Sequence, residues 1–352
     1  MNSRKGTGGR AAGGAGTVLC ALLTLAGCGG NQASKALTLT GTGGFFPLPL
    51  YGKWFHVYES KHPGVKVSYE PVGSGGGVRA FVEHSVDFGT ADSAMSEDEI
   101  ERVDPDLGAQ LLPLTAGCIV LVYNLPEIPQ LRLSRKAYAG IFLGRITRWS
   151  DPLIVKDNLG AKIPDMPLKL VVRSDASGVA LALTKHLSTI DSSFFGRTGI
   201  GKMPDWVVGT RVRGSDGIMA SVEATPGAIG YVAYSSAKDR KLPMALLENK
   251  SGTFVAASTA SGRAALGSAP LPDDLIAWIP DPEAKDAYPI VTYTWILCYR
   301  RYERKKRDAL VELLTYSLDD GQKDAEALGF IPLPPPVVQR VKEAVKTIGV
   351  IT

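Results

Sequence analysis

Three short stretches of this chain place glycines and hydroxyl side chains directly ahead of a predicted helix. They are Gly41–Pro47, Gly73–Gly77 and Arg173–Gly178. The start of a helix presents unpaired backbone N–H groups and the positive end of the helix dipole, so each stretch can hold an anion. Arg173 adds a guanidinium group that binds an oxyanion through two N–H groups at once. Together the three stretches predict a pocket for a small oxyanion.

The third stretch is the most specific. Ser177 supplies a hydroxyl, and the backbone N–H groups of Ser177, Gly178 and Val179 open the following helix. Asp175 is close enough in sequence to orient Arg173. The alternative interpretation is an ordinary helix N-cap beside a surface ion pair.

The second stretch lacks the Gly-Lys-Ser/Thr ending of nucleotide-binding loops, which argues against a nucleoside triphosphatase. Asp92, shortly downstream, is more informative. A carboxylate repels an oxyanion unless a proton lies between them, and phosphate carries such a proton near neutral pH whereas sulfate does not. Asp92 in the pocket would therefore select phosphate over sulfate. The alternative is a simple turn or helix cap.

The segments around these residues alternate between strand-like and helix-like patterns, which predicts an α/β fold with largely parallel sheets. Predicted strands cover Leu37–Thr40, Val65–Glu70, Val86–Gly89, Leu168–Arg173, Ala228–Val232 and Tyr288–Tyr299. Predicted helices cover Pro49–Lys61, Val78–His84, Arg135–Leu143, Val179–Leu187, a segment that follows Gly217 and runs to about Glu223, Lys306–Leu318 and Val337–Lys346. Ser96 and Glu99 form the pattern of a capping box at the start of a further helix.

A chain of 352 residues is long for one hydrophobic core, so two domains are expected. The order of the segments indicates that the chain enters one domain, crosses to a second near Leu121–Asn124 and returns near Pro289–Thr292. Two crossing strands make a hinge, and ligands favour the cleft between hinged domains.

The N-terminus carries a targeting pattern. Three basic residues precede the apolar run Thr17–Ala26, which is too short to span a bilayer. The run ends in Leu-Ala-Gly followed by Cys28, which resembles a bacterial lipobox. We therefore predict a lipoprotein signal peptide over residues 1–27, a lipidated Cys28 and a tether over residues 28–36. The protein would then be exported to the periplasm or cell surface and anchored there; the alternative is an ordinary signal peptide followed by a chance cysteine.

Composition narrows the function further. Of 39 basic residues three lie in residues 1–27, so 36 remain against 35 acidic ones, and a near-neutral chain gives no support for nucleic-acid binding. Cys118 and Cys298 lie in apolar runs, which favours two buried free thiols, with a disulfide as the alternative. The four histidines form no cluster with metal-ligand spacing, so neither metal nor cofactor is predicted.

These segments together resemble a known family, the phosphate-binding proteins of bacterial ABC phosphate importers. The matching stretches are Gly41–Leu50, Val72–Asp92, Val171–Gly178, Arg213–Val222 and Thr225–Tyr234. The resemblance extends over residues 37–347 and implies a two-lobed type II periplasmic-binding fold with a two-strand hinge. One lobe would comprise residues 37–121 plus 292–352, and the other residues 122–291. It also implies a monomeric receptor, not an enzyme, that delivers inorganic phosphate to ABC permease subunits.

Carried over by position, the resemblance implies six phosphate ligands: Phe46 through its amide, Ser74, Asp92, Arg173, Ser177 and Gly178. Asp175 would support Arg173. Two positions depart from the family pattern, since Phe45 stands where a threonine or serine is usual and Val179 where a threonine is usual. Each missing hydrogen bond to a charged ligand costs about 1.5–3 kcal/mol. Thr42 is a candidate to compensate in part.

Two other functions stay open on the sequence alone. The missing hydroxyls at positions 45 and 179 fit a sensor or receptor for another oxyanion, or for a phosphorylated compound, on the same fold. A phosphatase would need Ser74 or Ser177 as its nucleophile, and neither serine has a histidine base nearby in the sequence.

Overall fold

The computed structural model describes residues 36–351. The predicted signal peptide, the lipidated Cys28 and all of the tether except residue 36 lie outside these described residues. The strands are β1 (Leu37–Gly43), β2 (Val65–Pro71), β3 (Phe88–Ala91), β4 (Ala109–Tyr123), β5 (Arg132–Leu133), β6 (Lys169–Arg173), β7 (Thr210–Val212), β8 (Ala228–Ala233), β9 (Leu246–Glu248), β10 (Phe254–Val255), β11 (Val291–Tyr299), β12 (Arg301–Tyr302) and β13 (Gly349–Val350). The helices are α1 (Leu48–Lys61), α2 (Ser74–Val82), α3 (Glu97–Glu101), α4 (Arg135–Phe142), α5 (Pro152–Asp157), α6 (Gly178–Ile190), α7 (Ser192–Thr198), α8 (Gly214–Ala224), α9 (Tyr234–Asp239), α10 (Thr259–Leu266), α11 (Arg304–Leu318), α12 (Gln322–Ala325) and α13 (Pro335–Lys346).

Eight strands form one mixed sheet in the order β2-β1-β3-β11-β4-β8-β6-β7. β1 pairs in parallel with β2 and β3, and β6 with β7 and β8. The two long central strands run the other way, since β11 is antiparallel to β3 and β4, and β4 is antiparallel to β8. The expectation of a largely parallel sheet is therefore wrong at the centre of the sheet. Alternating segments predict local crossovers, and they carry no signal for strands that pair across long stretches of chain.

β4 connects the two sides of this sheet. Its residues 109–118 pair with β11, and its residues 119–123 pair with β8. We call β2, β1, β3 and β11 the first half of the sheet, and β8, β6 and β7 the second half. β4 and β11 are buried along almost their whole length, which agrees with their apolar sequences.

Helix α1 shows how the helices are fixed to one another. Its buried Leu50, Trp54 and Tyr58 recur every four residues and therefore share one face. The Trp54 indole N–H donates to the Gly321 carbonyl at 2.8 Å, and the Tyr58 hydroxyl donates to the Ala309 carbonyl at 3.0 Å. These bonds hold α1 against α11 and the turn that follows α11.

Helix α2 begins earlier than predicted. The sequence predicts a helix over Val78–His84 after a glycine-rich loop, whereas α2 begins at Ser74 and the glycine run forms its first turn. Glycine is a poor helix former, so tertiary packing must override its propensity. A Cβ atom at Gly77 would lie 2.6 Å from the Gly43 Cα atom, so glycine lets the helix approach β1. Gly73, at the N-cap, has a φ of 94°, which also favours glycine.

The predictions of a capping box at Ser96 and of buried free thiols agree with the structure. Ser96 and Glu99 form the predicted capping box at the start of α3. Cys118 and Cys298 are buried free thiols. Among residues 36–351 no helix combines the length and apolar character that crossing a bilayer requires. The same residues contain no group of three or more side chains suited to holding a metal ion.

Candidate functional site

Ser74 and Asp92 form the centre of a buried polar cluster. The Ser74 hydroxyl donates to Asp92 Oδ2 at 3.2 Å and accepts from the Asp92 backbone N–H at 3.1 Å. From β11, the Thr294 hydroxyl donates to Asp92 Oδ1 at 3.3 Å, and the Thr292 hydroxyl donates to the Asp92 carbonyl oxygen at 2.8 Å. These hydrogen bonds fix the Asp92 carboxyl group in one orientation.

Burial has the largest effect on the pKa of Asp92, whose exposed fraction is 3%. Burial raises its pKa to about 7, while the Ser74 hydrogen bond, the Arg173 charge and the Thr294 hydrogen bond act in the opposite direction. Near neutral pH both the protonated and the ionised carboxyl group are therefore present. Asp92 can share a proton with an oxyanion that brings one, or supply the proton itself.

Arg173, at the end of β6, brings a positive charge to this cluster. Its Nε donates to Asp175 Oδ1 at 2.7 Å, and its Nη2 donates to Asp175 Oδ2. The Gly214 N–H donates to Asp175 Oδ1 at 2.9 Å. Burial by itself would raise the pKa of Asp175, but the hydrogen bond and charge of Arg173 and the Gly214 N–H outweigh it and lower that pKa. An ionised Asp175 thus orients the guanidinium group, whose Nη1 lies 3.5 Å from the Ser215 hydroxyl.

The N-terminus of α6 lies against the Ser74–Asp92 pair. A Cβ atom at Gly178 would be 2.7 Å from Ser74 Oγ and 2.8 Å from Asp92 Cβ, so a larger residue would push these groups apart. The Ser177 hydroxyl accepts from the Ala180 N–H at 3.3 Å and caps the helix. The first N–H groups of a helix have no acceptor within it, so α6 presents donors and a positive dipole end beside Asp92.

The first glycine-rich turn closes the cluster from the β1 side. A Cβ atom at Gly44 would be 2.7 Å from Asp92 Oδ1, so the turn lies directly on the carboxyl group. The Phe46 side chain is buried and stacks on Phe330 with ring centroids 5.2 Å apart, which anchors the turn. The backbone N–H groups of Phe45 and Phe46 donate to no acceptor among the described residues.

The structure does not bring every predicted group into the cluster. The Thr42 hydroxyl donates to the Glu70 carbonyl at 2.6 Å, on the neighbouring strand, so its hydrogen is not free for an anion. The Ser177 N–H, one of the three N–H groups assigned to the helix start, donates to the Lys202 carbonyl at 2.8 Å and is therefore not offered to an anion. The Val179 side chain is buried in the hydrophobic core and offers no donor.

Sequence reasoning missed several residues of the cluster. Thr292 and Thr294 are two residues apart in β11, an otherwise apolar strand, so they share one face of it. This period of two is the signal that could have identified them. Tyr69 fixes the first turn by donating to the Gly44 carbonyl at 2.7 Å. Ser215 reaches Arg173 only because α8 packs beside β6, and nothing in the local sequence indicates that contact.

The cluster combines one guanidinium group, one titratable carboxyl group, hydroxyls and a helix N-terminus, contributed by both halves of the sheet. All of these groups are shielded from solvent, since Ser74 is 1%, Ser177 2% and Arg173 5% exposed. Shielding strengthens charge interactions because the local dielectric constant is low. The arrangement suits a small, dehydrated oxyanion.

No histidine lies in the described cluster to activate one of its serines as a nucleophile. Within residues 36–351 Ser74 pairs with Asp92, while the buried His186 hydrogen-bonds the Tyr138 hydroxyl at 2.9 Å. Nucleophilic serines are activated by a neighbouring base such as histidine. The geometry therefore gives no support to the phosphatase hypothesis.

Comparison with known proteins identifies the class. A family model described as a PBP superfamily domain matches residues 29–320. The fold is similar to that of PfluDING, a high-affinity periplasmic phosphate-binding protein solved with phosphate bound. The TM-score is 0.71 at 20% identity, covering 87% of this chain and 93% of that one. The type II periplasmic-binding fold expected from the sequence is confirmed.

Curated relatives narrow the class to one family. The phosphate-binding protein PstS of Pasteurella multocida is 36% identical over 321 residues, which cover 89% of this chain and 91% of the relative. The phosphate-binding protein PstS of Methanocaldococcus jannaschii is 34% identical over 361 residues, which cover 93% and 92%. The chain belongs to the PstS phosphate-binding protein family, a family of transport receptors and not of enzymes.

Proposed function

We propose that this protein captures inorganic phosphate in the buried cluster around Asp92 and delivers it to an ABC importer. One observation carries the proposal: a buried carboxyl group with a pKa near 7 lies beside Arg173 and the N-terminus of α6. The charges of Arg173 and the helix dipole attract an anion, while the carboxyl group demands that a proton lie between it and the anion. Phosphate meets both conditions.

The same arrangement disfavours sulfate at pH values above the pKa of Asp92. Sulfate has no proton near neutral pH, so it would have to face an ionised Asp92 or rely on the protonated fraction of that side chain. Repulsion at a buried site is weakly screened by salt and is not relieved by water. We therefore expect selection of phosphate by the Asp92 carboxyl group and affinity from Arg173 and the backbone N–H groups.

We propose as ligands the amide of Phe46, the side chains of Ser74, Asp92, Arg173 and Ser177, and the amide of Gly178. Support comes from the shared burial of these residues and from the closeness of Gly178 to Ser74 and Asp92. Ser74 would have to turn its hydroxyl hydrogen from Asp92 Oδ2 to the anion. Asp175 acts on the anion indirectly, by orienting Arg173. The departures at Phe45 and Val179 leave two donors fewer than is usual in the family, which favours a weaker site.

Binding and release would require the two halves of the sheet to separate. We propose lobes of residues 37–121 plus 292–352 and of residues 122–291, joined by a two-strand hinge. The change of partner along β4, from β11 to β8 after Cys118, supports a hinge at this level. Hinged closure around a ligand is a common mechanism of such clefts.

Calorimetry tests the function. Protein freed of phosphate by dialysis is titrated with phosphate, with arsenate, which also carries a proton, and with sulfate. We expect one phosphate per chain, detectable arsenate binding and, at about pH 9, sulfate weaker by about a hundredfold, because protonating Asp92 about two pH units above its pKa costs about 2.7 kcal/mol. Equal affinity for sulfate, or no binding of phosphate, contradicts the proposal. In that second case the apolar side chains at positions 45 and 179 favour a receptor for another oxyanion or a phosphorylated compound.

We further propose that the protein acts as an exported monomer, anchored in the periplasm or at the cell surface through Cys28 and docking on ABC permease subunits. The targeting pattern of residues 1–28 and the family support this location. Metabolic labelling with a radioactive fatty acid tests the anchor. Label should enter the wild-type protein and not a Cys28→Ala variant, and equal labelling of both contradicts the anchor.

A further inference from the structure

Phe45 reaches from the first half of the sheet to the second. It lies in the turn between β1 and α1, yet the centre of its ring is 5.5 Å from the Arg173 Cζ atom at the end of β6. A Cβ atom at Gly73 would lie 3.7 Å from the ring, and one at Gly214 would lie 3.8 Å from it. The ring therefore lies near Gly73, just before α2, and near Gly214, at the start of α8.

The ring shields one side of the Arg173 guanidinium group. Asp175 occupies the edge formed by Nε and Nη2, and Ser215 lies near Nη1. Arg173 is only 5% exposed, whereas Phe45 itself is partly exposed. The Phe45 ring thus stands between the guanidinium group and solvent. A cation against an aromatic face is attracted to it, and more strongly when water is excluded.

We propose that Phe45 is an aromatic wall that closes the phosphate site over Arg173 and slows the release of the anion. This inference rests on the proposed function. Phe45 and Arg173 come from opposite halves of the sheet, so their contact forms only when the halves are together. A contact made only in the closed form stabilises that form and lowers the rate of opening. The chain thus replaces a hydroxyl that would donate to the anion by a ring that retains it.

Release kinetics distinguish this role from simple packing. Protein loaded with radiolabelled phosphate is mixed with excess unlabelled phosphate, and the bound label is followed with time in four proteins: wild type, Phe45→Ala, Phe45→Leu and Phe45→Tyr. Phe45→Ala removes the wall and should release label about tenfold faster. Phe45→Leu keeps an apolar cover without a π face and should also release faster than wild type. Phe45→Tyr keeps the ring and should retain slow release.

Two controls make the result decisive. Phe195→Ala removes an exposed phenylalanine of α7 and should release label at the wild-type rate. The melting temperatures of the unliganded variants should stay within a few degrees of wild type, which separates faster release from altered folding. Wild-type release from Phe45→Ala, or from Phe45→Leu, overturns the aromatic wall while leaving phosphate capture intact. Failure of the wild type to bind label at all refutes the proposed function itself.

Discussion

Gly178, the first residue of α6, lies directly against Asp92, across the boundary between the two halves of the sheet. A Cβ atom at position 178 would be 2.8 Å from both the Cβ and the carbonyl carbon of Asp92. Real Cβ atoms do not approach other atoms so closely, and backbone cannot move aside as a flexible side chain can. The closeness of α6 to the Asp92 carboxyl group therefore depends on the absence of a side chain at Gly178.

Gly178→Ala should weaken phosphate binding without unfolding the protein. Alanine is a good helix former at this position, but its methyl group prevents full approach of α6 to Asp92. We expect phosphate affinity to fall by about tenfold or more, the equivalent of at least 1.4 kcal/mol, as measured by calorimetry. Gly52→Ala is the matched control, because a Cβ atom there meets nothing within 4 Å. Unchanged affinity in Gly178→Ala contradicts the close-approach model.

Asp92→Asn should stabilise the unliganded protein in a pH-dependent manner. Burial raises the pKa of Asp92 from 3.8 to about 7, so the folded state binds more protons than the unfolded state between these values. The free energy of unfolding therefore falls as the pH rises through that window. At about pH 8 the free energy of unfolding of Asp92→Asn should exceed that of wild type by about 4 kcal/mol, and at about pH 4 the two should be almost equal.

Urea denaturation at several pH values measures the Asp92→Asn effect. Asp98→Asn, at an exposed position of α3, is the control and should follow the wild-type pH profile. A gain of the same size at every pH would show that the asparagine acts through packing and not through charge.

Arg173→Lys should reduce phosphate affinity although it keeps the positive charge. Lysine cannot reproduce the planar fork that binds Asp175 through two nitrogens, and it leaves the Asp175 carboxylate incompletely paired. We expect a loss of about 2–3 kcal/mol, roughly thirty- to a hundredfold in Kd. Arg145→Lys, in the more exposed pair with Asp191, should have no such effect. Calorimetry measures the phosphate affinity of both variants. Equal affinities of Arg173→Lys and wild type would argue against a role for the planar guanidinium fork.

Glu99→Gln should make phosphate release faster and less sensitive to salt. Lys202 donates to both Glu99 oxygens, at 2.6 and 2.8 Å, and the Lys202 carbonyl accepts the Ser177 N–H at the start of α6. The pair therefore links α3 to the residue that caps α6. Glutamine keeps the capping box with Ser96 but removes the charge.

The expected change for Glu99→Gln is about fivefold in the release rate, which corresponds to about 1 kcal/mol for a partly exposed ion pair. Release of labelled phosphate is followed at low and high salt. Glu97→Gln, an exposed neighbour in α3, is the control and should keep the wild-type salt dependence. Identical rates in Glu99→Gln and wild type at both salt concentrations would refute a link through this ion pair.

Local sequence was sufficient for most elements of the fold. β1, α1, β2 and α13 lie within a few residues of their predicted bounds, because strand alternation, helix periodicity and turn residues act over short distances. It was insufficient where packing overrides propensity. α2 includes a glycine run that no local rule assigns to a helix, since close contact with β1 fixes it.

Sequence by itself determined the chemical inventory of the site: one arginine with an aspartate two residues later, serines and glycines at helix starts, and Asp92 after a short strand. Only the tertiary structure decided how these groups act. The carboxyl group of Asp92 takes its raised pKa from burial and its orientation from Thr294, 202 residues away in sequence. The Phe45 ring likewise lies against Arg173 only because folding brings the turn before α1 next to the end of β6. Desolvation and contact depend on which distant elements are brought together, and that is a property of the packed chain and not of any segment in it.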